Sequence, residues 1–170
     1  MKKCVSAVLC IALALSICTH ATAATPDELW LAAESLREQG IMVGDQTGSL
    51  HLDDSLTRAE LAAILCRLRV NQEHIAAEEA LYTRYCTFPD VPEWARVYVG
   101  YCAFNGLMVG YDTGAFGASD SVTPAAACTV VLRHLGISGW DYETACQTAL
   151  DLNLTTPAAV AAESVTRGDI

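Results

Sequence analysis

The chain has 170 residues, of which 52% are apolar and 18% charged, with a formal net charge of −10. That acidic balance excludes a broad basic face, and with it nucleic acid or an anionic membrane surface as a general partner. The length is enough for one domain with a buried core, and abundant Ala and Leu beside 7% aromatics favour helices.

Met1-Lys2-Lys3, the apolar stretch from Cys4 to Cys18 and the small residues Ala21-Thr22-Ala23 have the form of a secretory signal peptide, with cleavage expected after Ala23. The apolar stretch falls short of the ~20 residues that a membrane helix needs, and bulky Ile17 before Cys18 argues against a lipoprotein signal. The mature chain then carries eight arginines and no lysine against twenty acids, a net charge of −12, and no membrane span is expected in it. Any anionic ligand must be met by a local arginine site. Five cysteines remain: Cys66, Cys86, Cys102, Cys128 and Cys146, without C-x-x-C spacing. Secretion favours disulfides. Cys66, Cys102 and Cys128, however, sit in apolar helical patterns where a buried thiol serves as a small hydrophobe. Buried thiols are the expectation, with pairing open.

Along the mature chain the dominant feature is an internal repeat. Gly40-Ile41-Met42-Val43-Gly44 recurs as Gly106-Leu107-Met108-Val109-Gly110, and at the same offset Gly48 meets Gly114, Leu50 meets Phe116, Leu56-Thr57 meets Val122-Thr123 and Arg67 meets Arg133. A third copy of the later part is Val165-Thr166-Arg167-Gly168-Asp169. The divisions are repeat one at 24–70, a polar connector at 71–87, repeat two at 88–136 and a partial repeat three at 137–170.

Each copy predicts a helix, a glycine-rich loop and a second helix. The first helices are expected over Asp27 to Gln39 and Glu93 to Asn105, carrying Leu31, Leu36, Val97 and Tyr101 at helical spacing and stopping at Gly40 and Gly106. The second begin after Thr57 and Thr123, with Leu61, Ile64, Leu65, Leu68 and Cys128, Val131, Leu132, Leu135 as apolar positions. The connector has helical propensity and is read as an extension of the second helix or a link. Phe88-Pro89-Asp90-Val91-Pro92 is a stiff turn ahead of Trp94. Repeat three has a helix from about Tyr142 to Leu152, followed by Asn153-Leu154-Thr155-Thr156 in place of the glycine loop. Trp30, Trp94 and Trp140 are read as buried between helices, Trp94 as core.

Thr57-Arg58-Ala59-Glu60 forms a capping box, which accounts for Thr57 and Glu60. It leaves Arg58 unexplained, because a cation in a first turn opposes the helix dipole. An anion shared between the guanidinium and the free amides of the helix start removes the conflict. Thr166-Arg167-Gly168-Asp169 repeats the arrangement. Thr123-Pro124-Ala125-Ala126 keeps the cap, with Pro at the first helical position, but has neither the arginine nor the acid.

Together the T-R-A-E at Thr57 to Glu60, the T-R-G-D at Thr166 to Asp169, the two G-[IL]-M-V-G loops and the F-P-D-V lead-in to Trp94 resemble S-layer homology repeats, over nearly the whole mature chain. The resemblance implies a mainly α fold of tandem helix-loop-helix repeats in a pseudo-threefold assembly, here with an incomplete third repeat. It implies a secreted, non-catalytic module at the cell wall or S-layer. The implied ligand is an anionic secondary cell-wall polysaccharide, carrying pyruvate ketals, bound between repeats by Arg58 and Arg167, with Thr57, Glu60, Thr166 and Asp169 shaping the helix starts. Pro124 then weakens the groove that depends on repeat two. Ile170 stands where the third motif's helix begins, so further polypeptide, or another chain, is expected to complete the core.

The rival reading is an acidic secreted helical module that docks proteins and binds no glycan. No cofactor or metal is expected. His51, His74 and His134 have no metal-ligand spacing with the cysteines, and no G-x-S-x-G nucleophile motif occurs. The acidic loops at Asp45 and Asp112 lack the alternating acids and closing Glu of a calcium loop, so they are read as turns.

Overall fold

The computed structural model describes residues 25–170, so the export signal read in residues 1–23 lies outside the described residues. The described chain is mainly α-helical. Its helices are α1 (Pro26–Glu38), α2 (Arg58–Arg69), α3 (Gln72–Ala77), α4 (Glu79–Tyr85), α5 (Arg96–Phe104), α6 (Pro124–His134), α7 (Ala145–Asp151) and α8 (Pro157–Val160), with a 3₁₀ turn at Glu93–Ala95 running into α5. Extended pairing among the described residues is confined to two isolated antiparallel bridges, Ser55 with Thr166 and Thr57 with Ser121.

The helices begin and end for local reasons. Thr25, Thr57, Thr123 and Thr156 each accept a first-turn amide at the starts of α1, α2, α6 and α8. The ends of α1, α5 and α7 share one device. The chain turns left-handed at Gly40 (φ 71°), Gly106 (φ 66°) and Asn153 (φ 55°). The next amide then returns to the carbonyl five residues back: Ile41 to Leu36, Leu107 to Cys102 and Leu154 to Ala149, each at 2.9 Å. Asn153 thus holds in the third copy the position that glycine holds in the other two, which asparagine tolerates better than most residues.

The connector differs from a simple extension of α2. Val70 is extended and ends that helix, and Asn71 caps α3 by accepting the His74 amide at 2.9 Å. α4 then packs on α5. Gly100 permits this crossing, because a Cβ there would overlap the Tyr82 carbonyl.

The three motif starts meet at the centre of the molecule. The Leu56 amide donates to the Val165 carbonyl at 2.9 Å, the Val165 amide to Val122 at 2.8 Å, and the Val122 amide to Leu56 at 2.8 Å, closing a ring of three backbone bonds. All three side chains are buried. Around them runs the main core, which includes Leu61, Cys66, Val99, Cys102, Met108 and Phe116. A second small cluster joins α6 and α7 through Cys128, Leu132, Ala145 and Ala149.

Two tryptophans read as buried are not. Trp30 is 59% exposed and Trp94 53%. The inward position of the 3₁₀ turn belongs to Ala95, which is fully buried. On α1 the inward stripe is Leu29, Ala33 and Leu36, four and three residues apart, which turns Trp30 and Leu31 outward. Trp140 is half-buried, and its indole N–H donates to the Ile137 carbonyl at 2.8 Å. Leu68 and Leu135, near the ends of their helices, are also exposed.

Candidate functional site

The capping box is complete at the first arginine motif, and at the second only the acid's half of it forms. Thr57 Oγ1 accepts the Glu60 amide at 3.3 Å while Glu60 accepts the Thr57 amide at 2.9 Å. Asp169 accepts the Thr166 amide at 2.8 Å and its hydroxyl at 2.7 Å.

The arginines between these caps reach across to the glycine loops of other copies. Arg58 donates from Nε to the Phe116 carbonyl at 2.9 Å and from Nη2 to the Val109 carbonyl at 2.8 Å. Arg167 donates from Nε to Leu50 at 2.8 Å and from Nη2 to Val43 at 3.1 Å. Val109 and Phe116 are the repeat equivalents of Val43 and Leu50. Each arginine is therefore a clasp that holds the loop of one copy to the helix start of another. Sequence reasoning missed this use. The acceptors are backbone carbonyls, so no side-chain identity records them.

The third guanidinium nitrogen separates the two. Arg167 Nη1 donates to Glu60 Oε1 at 3.0 Å, and its side chain is only 11% exposed. Glu60 has Ala126 as its repeat equivalent, so Arg58 finds no acid at the matching place. Among the described residues no carboxylate pairs with Arg58. Its guanidinium lies instead over the rings of Phe116 and Tyr111, at 4.8 and 4.9 Å from their centroids.

Arg58 borders an open groove of about 300 Å³, which is also lined by Arg133, Tyr111, Tyr142 and Thr129. Arg133 spends Nη1 on the Leu107 carbonyl at 3.2 Å. Thr129 is 5% exposed and its hydroxyl has no partner, an arrangement that costs about 1–3 kcal/mol when left unmet. At the rim, Asp120 accepts the Tyr111 hydroxyl at 2.9 Å. The groove thus offers two guanidinium groups, with the unused Thr129 hydroxyl buried in its wall, an arrangement suited to a planar anionic group.

Asp90 of the F-P-D-V turn acts on the groove only through the loop that Arg58 clasps. Its carboxylate accepts the amides of Phe116, Gly117 and Ala118 at 2.8, 2.7 and 3.0 Å, which fixes the loop whose carbonyls Arg58 uses. Burial raises this carboxyl, but the three amides together outweigh it and hold Asp90 below its ordinary range. The loop of repeat one is held differently. There Asp45 accepts the Thr47 hydroxyl at 2.7 Å and amide at 2.8 Å, the Ser49 amide at 3.1 Å, and pairs with His51 Nε2 at 2.9 Å. These bonds make the loop a turn closed on its own aspartate. Among the described residues no cluster of three or more His, Cys, Asp or Glu is spaced to hold a metal.

Of the six residues assigned to ligand binding from sequence, only Arg58 borders this groove. Thr57 and Glu60 are absorbed by the cap, and Glu60 and Arg167 by each other. Asp169 lines a separate small cavity beside Pro124. Arg133, Thr129 and Tyr142 were not singled out as ligand contacts. Arg133 had a signal in its match to Arg67; Thr129 and Tyr142 had none.

No family model matches the chain. It is 27% identical, over its full length, to the middle cell wall protein of Brevibacillus brevis. It is 29% identical over 80% of its length to a surface layer protein of Brevibacillus choshinensis, and 33% identical over 54% to cell surface glycoprotein 1 of Acetivibrio thermocellus. The aligned region spans only 17%, 13% and 4% of those three proteins. The relatives are cell-wall and surface-layer proteins, and the likeness places this chain with the proteins of the bacterial cell surface.

Proposed function

We propose that the chain is a secreted, non-catalytic attachment module of the S-layer homology type, which holds an anionic cell-wall polysaccharide at the groove beside Arg58. The observation that carries the reading is the unequal state of the two motif arginines. Arg167 is neutralised by Glu60, whereas Arg58 faces Ala126 and keeps its charge next to Arg133 and the unpartnered Thr129 hydroxyl. A carboxylate such as a pyruvate ketal matches the guanidinium fork, and a sugar hydroxyl meets Thr129 once that buried side chain turns toward the groove. The likeness to cell-wall and surface-layer proteins supports the setting.

Binding of the mature protein to purified walls, with and without their secondary polymer, tests the reading. Thr129→Val is the informative variant. It removes a hydroxyl that bonds nothing in the protein, so its melting temperature should match or exceed the parent's, while wall binding falls. Arg133→Gln should weaken binding by about tenfold or more, the loss of one charge-assisted contact. Retention on polymer-free walls, or indifference to both substitutions, overturns the proposal. A second reading, docking to another protein, draws on the exposed Trp30 and Trp94. It would show as wall retention that Trp94→Ala removes and polymer extraction does not.

A further inference from the structure

The three junctions between copies are not built alike. Arg58 clasps the loop at Val109 and Phe116, and Arg167 clasps the loop at Val43 and Leu50. At the third junction the clasp position is Pro124, which has no side-chain donor. It faces Leu154 and Thr155 across a small cavity of about 70 Å³. The glycine loop that would supply the acceptors has become Asn153-Leu154-Thr155-Thr156. The donor half of the clasp is missing there.

At this junction two cysteines meet. Cys128 is on α6, one turn after Pro124, is 6% exposed and lines the small cavity. Cys146 is near the start of α7, is half-buried and packs on the cluster of Cys128, Leu132, Ala145 and Ala149. α6 and α7 pack together at this cluster, so both thiols lie in one helix–helix contact. Cys66, Cys86 and Cys102 are buried in the main core instead.

We propose that Cys128 and Cys146 form a disulfide when the protein meets a small-molecule disulfide oxidant, and that this bond is the covalent counterpart of the missing arginine clasp. The Cys146 thiolate, being the more accessible, attacks one sulfur of the oxidant RS–SR. The S–S bond breaks and one RS⁻ leaves. The Cys128 thiolate then attacks the Cys146 sulfur of the mixed disulfide and expels the second RS⁻. The protons lost by the two cysteines end on the two RS⁻ groups. Two protein thiols are oxidised and one RSSR is reduced to two RSH. Burial first, and the neighbouring Cys146 second, push the Cys128 thiol up to about 11. The closing step is therefore slow at neutral pH and quickens as pH rises.

The test is to expose the full mature chain, natively folded, to oxidised glutathione and to map its peptides by mass without reduction. The expected product is a Cys128–Cys146 linked peptide lacking two hydrogens, with Cys66, Cys86 and Cys102 still open to alkylation after unfolding. Relative to the reduced protein the melting temperature should rise by about 5 °C, and Cys146→Ser should abolish both the link and the rise. A glutathione adduct that persists on Cys146, a link through any other pair, or no reaction at all overturns the assignment. A Cys128–Cys146 link that leaves the melting temperature unchanged overturns its role as a clasp.

Discussion

Arg167 has four anchoring features at once: two loop carbonyls, the Glu60 carboxylate and near-complete burial. Its replacement by Gln leaves two carbonyls and an acid without their donor. Arg167→Gln should therefore lose about 2 kcal/mol or more of unfolding free energy, read from urea titration. The histidines make a second residue-level prediction. The hydrogen bond that His51 donates to the Asp45 carboxylate chiefly holds His51 protonated to higher pH than usual, whereas burial, with Arg69 adding to it, pushes His134 down. NMR titration should find midpoints on opposite sides of about 6.5. The stability from His51 is present below that pH and lost as pH rises through its folded midpoint. That from His134 has the opposite sign: it is present above the ordinary value and lost as pH falls. At this scale the sequence disclosed that arginines recur before the second helix. It could not disclose that two nitrogens of each are spent on carbonyls about 50 or more residues away, because any residue supplies the same carbonyl.

Helices were legible where their ends carry chemistry. Thr57, Thr123, Gly40 and Gly106 announce starts and stops by side chain or by its absence, and the structure places helix ends within a residue or two of them. Trp94 was misread because its size argued for burial, while the position that turns inward in a three-residue turn went to Ala95. The connector was left between an extension of α2 and a link because helical propensity alone does not tell an extended helix from a broken one. The break is set by Val70 and the Asn71 cap. The F-P-D-V turn was read as a stiff lead-in, whereas its Asp90 reaches 26 to 28 residues on to three amides. Asp90→Asn presents an NH₂ to donors that one carboxylate now satisfies, and should cost about 1–3 kcal/mol. Because the folded carboxyl titrates below the unfolded value of about 3.9, its stabilisation is complete above that pH and is lost as pH falls. Acid unfolding curves of parent and variant should converge as pH falls through the lowered midpoint of Asp90.

On the scale of the whole molecule, the ring of Leu56, Val122 and Val165 ties together segments that are far apart in sequence. Its side chains lie in the centre of the core, and Val122 is fully buried. Val122→Ala should cost about 1–3 kcal/mol through lost contact and the cavity left behind. It should lower the urea midpoint of a single shared transition, followed by the circular dichroism of all helices and by Trp140 fluorescence in a Trp30→Phe, Trp94→Phe background. Separate transitions for the two signals would mean that the small α6–α7 cluster unfolds by itself. The repeats were legible as a period in the sequence. The bonds that join the three motif starts were not, since the ring is made of backbone amides and carbonyls alone.

The same ring sets a load path. Tension drawn along the backbone beyond Val165 is not delivered first to its sequence neighbours in α8. It crosses at once to Leu56 and Val122 through bonds that share the strain, and from there enters the caps of α2 and α6. A molecule held at the cell surface and pulled from its later segments would resist as one knot of three strands, with its helices trailing as ballast and its yield point at the centre.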